Sequence, residues 1–134
     1  MTTATTIPTP VAQRIQQRLM DIALHNQVHI LLAIESGSRA WGFPSPDSDF
    51  DVRFIYVHPA PWYRTIFEAR DVIETPIEAV AGTVFDVNGW DLRKALRLLA
   101  KSNPVLIEWL QSPLVYQQQS TFTQELLALA QERF

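Results

Sequence analysis

The nine residues from Asp49 to Val57, DFDVRFIYV, restrict the fold of this chain more than any other stretch. Side chains alternate across a strand, so residues two apart share a face. As a strand, the stretch puts Asp49, Asp51 and Arg53 on one face and turns Phe50, Val52 and Phe54 toward a core. Two neighbouring carboxylates repel, and a purely structural strand rarely carries that pair. A hard cation removes the conflict, because magnesium prefers carboxylate oxygens and keeps positions open for water and phosphate oxygens. The pattern therefore predicts a strand with a core on one side and a divalent-metal site on the other. Asp49 and Asp51 are its ligands, and two such ions can activate an attacking oxygen and stabilise a leaving one.

The residues upstream suit the same chemistry. The run VHILLAI, from Val28 to Ile34, reads as a central strand buried on both faces. It leads through Glu35, expected as a solvated or hydrogen-bonded edge acid, into Ser36-Gly37-Ser38. Gly37 can take a positive φ and let backbone N–H groups face an anion. The Ser38 hydroxyl can donate to a phosphate oxygen. Gly42, Pro44 and Pro46 make the segment before Asp49 a loop. Arg39 and Ser48 flank that loop as further phosphate contacts, and Arg53 can orient the carboxylates or meet a phosphate. Trp41 is expected to plug the core beneath it.

A Gly-Ser turn, about ten residues, then Asp-Phe-Asp on a strand resembles the signature of DNA polymerase beta-type nucleotidyltransferases. The longer wording GSRAWGFPSPDSDFDVRFIYV, with GWDLRKALRLLAKSNPVLIEWLQSP downstream, is similar to a subfamily assigned to an RNA repair pathway. The resemblance covers about residues 28 to 116. It implies an α/β (α+β) nucleotidyltransferase fold, a small mixed sheet flanked by helices. It further implies a nucleoside triphosphate substrate, two Mg2+ ions (or Mn2+), an acceptor such as an RNA end, and a third carboxylate on a later strand.

Asp86 is the candidate for that third carboxylate, because GTVFDVN (82–88) reads as a strand with the acid toward its C-terminal end, where open sheets gather ligands. It would bind the metal and help deprotonate the acceptor. Asp91 is the rival, but it stands where a helix begins, and capping explains an acid there. DVIETPIE (71–78) reads as an edge strand because of Pro76.

The rest reads as scaffold. Val11, Ile15, Leu19 and Ile22 predict a helix from about Pro10 to His25. PAPWYRTIF is expected as a crossover with Trp62, Tyr63, Ile66 and Phe67 packed inward. Trp90 to Lys101 has helical periodicity, with a basic ridge of Arg93, Arg97 and Lys101 and with Lys94 as a candidate phosphate contact. Asn103-Pro104 starts another helix, and Thr121 with Gln124 resembles a capping box for a last one.

A length of 134 residues suits one domain. The expected organisation is a polar tail over residues 1–10 and a catalytic domain over 11–134. Members of the subfamily usually continue beyond this length, which leaves an N-terminal part of a longer protein, a trimmed form or a natural short form. With no cysteine there is no disulfide and no thiolate metal site. No apolar run reaches the roughly 18 residues of a membrane span, so no membrane partner is expected and the cytoplasm is the default. A net charge of −3 argues against broad charge-driven nucleic-acid binding, though not against a nucleotide or one RNA end. Two other functions fit the same residues: an antitoxin-like enzyme that modifies a partner protein, and a non-catalytic nucleotide-binding domain. The presence of all three acids weighs against the second.

Overall fold

The computed structural model describes residues 7–41, 49–67 and 69–133. Helix α1 (Thr9–Asn26) leads into β1 (His29–Glu35), a 3-10 turn (Ser38–Trp41) and β2 (Phe50–Val57). A second 3-10 turn (Ala60–Arg64) precedes β3 (Val72–Glu74), β4 (Glu78–Val80) and β5 (Thr83–Asp91). Then follow α2 (Leu92–Ala100), α3 (Pro104–Gln111), β6 (Val115–Gln118) and α4 (Phe122–Arg133).

The strands form one mixed sheet in the order β3-β5-β2-β1-β6, with β4 also on β5. Strands β2 and β5 are parallel, and the other pairs are antiparallel. Period-two alternation sorts the side chains into two cores. Phe50, Val52, Phe54 and Tyr56 of β2, with Phe85 and Val87 of β5, meet Ile15, Leu19 and Ile22 of α1. Ile55, with Leu32 and Ile34 of β1, meets Ala95 and Leu99 of α2, Leu106 and Trp109 of α3, and Leu126 of α4. The fold is thus the expected mixed sheet flanked by helices, and β1 is covered on both faces as its unbroken apolar run predicts.

Helix ends obey local chemistry. Pro10 lies in the first turn of α1, and Gln27 stops it in the left-handed conformation at φ 54°. Asp91 caps α2 by accepting from Arg93 N, and Asn103 caps α3 by accepting from Leu106 N. At α4 the Thr121 hydroxyl bonds Glu125 rather than Gln124, at 2.9 Å.

Several expectations are corrected. The 71–78 run is not one strand: β3 ends at Glu74 and a separate β4 starts only at Glu78, because Pro76 between them has no N–H to donate to β5. Trp90 belongs to β5 and not to the helix. Its indole stacks on Trp109 at 4.0 Å, so packing overrides the helical periodicity. Strand β5 therefore reaches Asp91, and Asp86 lies in its middle rather than near its C-terminal end. Ile66 and Phe67 do not pack inward: they are 92% and 78% exposed. Trp41 is not a plug either, being 42% exposed. Strand β6 was not expected at all. No described helix is long and apolar enough to cross a membrane.

Candidate active site

Parallel pairing puts Asp51 of β2 level with Asp86 of β5, and Arg53 level with Asn88. Ile55, two residues beyond Arg53, packs under α2 and α3, so Asp51 and Arg53 share that face of the sheet. The two acids expected on separate strands thus stand side by side. Arg53 donates from Nη2 to Asp86 Oδ2 at 3.0 Å, and from Nη1 to the Val52 and Asp86 carbonyl oxygens at 2.9 Å. Asn88 Nδ2 donates to Asp86 Oδ1 at 2.9 Å. Each Asp86 oxygen has one such donor, so the carboxylate is oriented and keeps lone pairs for a further ligand. Of its two expected roles, Arg53 is seen in the orienting one.

Asp51 is held at three points. Its N–H donates to Glu35 Oε2 at 2.8 Å. Its carbonyl accepts from Ser36 N at 2.8 Å and Ser36 Oγ at 3.1 Å. Its carboxylate lies against Gly37, where a Cβ would come within 2.3 Å of Asp51 Oδ2. Gly37 is not needed for a positive φ, which among the described glycines only Gly82 adopts. It is needed because a side chain would occupy the carboxylate's place. Burial pushes the Asp51 carboxyl above its usual range; the Arg53 charge opposes this, while Asp86 and Asp49 add to it.

Glu35 is the residue that sequence reasoning underrated. It is fully buried, not solvated. Oε1 accepts from the Tyr116 hydroxyl of β6 at 2.7 Å, and Ser112 Oγ donates to its carbonyl at 2.6 Å. Burial pushes its carboxyl up to about 7. The signal was available: Ala33 and Glu35 alternate onto the same covered face.

The other predicted residues are placed less centrally. Asp49 precedes β2 and is exposed. Its charge acts on Asp51, yet among the described residues no three acidic or histidine side chains converge as a ready metal site. Ser38 opens the first 3-10 turn and is exposed. The Arg39 guanidinium lies 4.0 Å from the centre of the Phe50 ring. Lys94 Nζ is 5.9 Å from the Trp90 ring centre. Ser48, Gly42, Pro44 and Pro46 lie outside the described residues. Asp91 projects to the opposite face of the sheet from Asp86, fully buried.

Asp86 opens onto a cleft of about 560 Å³. Its walls include Arg53, Asn88, Thr75, Trp90, Val105 and Trp109. The donor set suits a hard cation: carboxylate oxygens, no sulfur, and a close like-charge pair that a cation would relieve. The space that a Gly37 side chain would fill is left to Asp51.

A profile of the RNA repair pathway DNA polymerase beta family matches residues 11–134. Over 122 residues the chain is 52% identical to the uncharacterized protein YcgL of Bacillus subtilis (strain 168), covering 91% of this chain and 45% of that protein. The chain therefore spans less than half the length of that relative. Its fold is similar to that of a nucleotidyltransferase-like protein from Exiguobacterium sibiricum 255-15. The TM-score is 0.55 at 11% identity, over 90% of this chain and 38% of the other. At that identity the likeness is one of fold.

Proposed function

Because this chain belongs to the RNA repair pathway DNA polymerase beta family, we propose that it transfers a nucleoside monophosphate from a nucleoside triphosphate to an acceptor hydroxyl, an RNA end. The acceptor oxygen bonds the α-phosphorus. The bond from that phosphorus to the α–β bridging oxygen breaks, and pyrophosphate leaves with the electron pair. The hydroxyl proton passes to the Asp86 carboxylate, which Arg53 and Asn88 hold in place.

Asp49, Asp51 and Asp86 would hold two magnesium ions, or manganese in their stead. Bound there, the metal would neutralise phosphate charge and polarise the phosphoryl oxygens. Gly37 and Ser38 would present backbone and hydroxyl donors to the phosphates and act on the charge that develops in the transition state, with Arg39 and, from the sequence alone, Ser48 as further phosphate contacts. The observation that carries the reading is the level pairing of Asp51 with Asp86, beside Gly37, where a Cβ would collide with the Asp51 carboxylate.

Calorimetry tests it. Wild type should bind a nucleoside triphosphate only with magnesium, and Asp49→Ala/Asp51→Ala should abolish that binding. Binding that ignores magnesium, or survives in the double variant, would refute the site. Labelled nucleotide appearing on a co-expressed protein and not on RNA would redirect the acceptor to protein.

A further inference from the structure

The cleft runs from Ser36, beside Gly37, past Arg53 and Asp86 to Trp90 and Trp109. In the proposed reaction the Gly37 side holds the phosphates and Asp86 receives the acceptor's proton. The end of the cleft beyond Asp86, at Trp90, Val105 and Trp109, is thus the space left for the acceptor. Its lining changes character with distance from the acids. Asp86, Asn88 and Arg53 are polar. Four residues from Asp86, about 13 Å along the strand, stands Trp90, stacked on Trp109 with Val105 nearby and Ile77 at the rim. A half-buried indole with exposed aliphatic neighbours suits the flat, weakly polar face of an aromatic ring.

A second feature continues from that wall. Lys94 lies over Trp90. Arg97 and Lys101 follow it at three- and four-residue intervals, so the three cations share one flank of α2. Arg97 and Lys101 are exposed. An aromatic wall with a cationic stripe leading away from it is the pairing that single-stranded nucleic acid needs: a platform for a base and charge for its backbone. In a chain of net charge −3, such a stripe is a local feature and not a general basicity.

We infer that the cleft between β5 and α3 receives the terminal nucleobase of a single-stranded RNA acceptor, against the wall formed by the Trp90–Trp109 pair and Val105, while Lys94, Arg97 and Lys101 carry its backbone phosphates. This rests on the transfer reaction proposed above and adds the acceptor subsite. A tyrosine-bearing protein acceptor would use the ring wall but have no need of the stripe.

The test uses a labelled ten-nucleotide single-stranded RNA and, separately, magnesium with a nucleoside triphosphate, on the 134-residue chain. Val105→Trp fills the cleft from an exposed position and avoids disturbing the core. It should weaken RNA binding about tenfold and leave triphosphate binding unchanged. Arg97→Ala/Lys101→Ala should flatten the dependence of log K on log salt by about 1.4, again without effect on the triphosphate. RNA binding that neither change affects overturns the inference alone. Val105→Trp weakening the triphosphate as much as the RNA also overturns it, assigning the cleft to the incoming nucleotide. So does transfer to a tyrosine peptide that matches transfer to RNA. Failure of wild type to bind the triphosphate with magnesium would instead bring down the transfer reaction, and this subsite with it.

Discussion

Asp86 and Asp91 stand five residues apart on one strand, an odd interval, and so they face opposite sides of the sheet. Asp86 opens onto a cleft, with two side-chain donors and lone pairs to spare. Asp91 is closed in. It accepts from Arg93 N at 2.8 Å and from the Tyr63 hydroxyl at 2.7 Å, and Tyr63 in turn accepts from His58 N at 3.0 Å. The neighbouring aromatics complete the enclosure: His58 stacks on Trp62 at 3.9 Å, and Arg93 sits 5.2 Å from the Tyr63 ring centre. The same residue type thus serves two ends. One carboxylate is oriented and open to a cleft; the other is fully buried and holds a helix start to a turn.

The comparison is broken most directly by exchanging the losses. Asp86→Asn should lower nucleotidyl transfer at least about 100-fold while moving stability by no more than about 1 kcal/mol, since its ion pair is partly exposed. Asp91→Ala should do the reverse. It removes a cap and a buried acceptor, for about 3 kcal/mol of unfolding free energy, and leaves the rate per folded molecule unchanged. Urea unfolding and transfer rates on both variants would check this. Equal losses of stability, or of rate, would mean that the two acids are not functionally distinct.

Gly37→Ala sharpens the open half. The new Cβ would meet the far end of the Asp51 side chain, which can rotate away cheaply. Stability should therefore change by less than about 1 kcal/mol, and a displaced carboxylate should still cost transfer roughly 100-fold. An active, well-folded Gly37→Ala would show that Asp51 has no need of its present position.

The two halves were unequally legible in the sequence. The face carrying Asp51 and Arg53 follows from period two within a single strand, which is a local rule. The level pairing of Asp51 with Asp86 is a matter of register between strands far apart in the chain, and no local pattern encodes it. Parity alone separates Asp86 from Asp91. Parity depends on where the strand ends, and Trp90, Leu92, Ala95 and Leu96 read as helix from their spacing. The stacking of Trp90 on Trp109 decides that boundary, and it is tertiary. Strand β6 was hidden for a related reason. VYQQ has little apolar alternation, and it is a strand because Leu32, Ala33 and Ile34 offer it an edge. With β6 went the Tyr116 hydroxyl that buries Glu35 behind Asp51.

The smallest effect lies in the closed half. Burial holds the His58 imidazole below its usual pKa of about 6.5, and the Asp91 charge partly offsets this. The folded state therefore favours neutral His58. That contribution to stability is present above the unfolded value and is lost as pH falls through the folded one. His58→Phe keeps a ring on Trp62 and cannot ionise, so the acid-side loss of stability should be shallower in this variant. An NMR titration of His58 separates the halves once more. Asp91→Asn removes the Asp91 charge that raises the imidazole pKa and should lower it further. Asp86→Asn acts on the other face of the sheet and should leave it in place. A His58 titration that moves with Asp86 as much as with Asp91 would mean that the sheet does not insulate its two sides, and the division of labour between the two acids would need another cause.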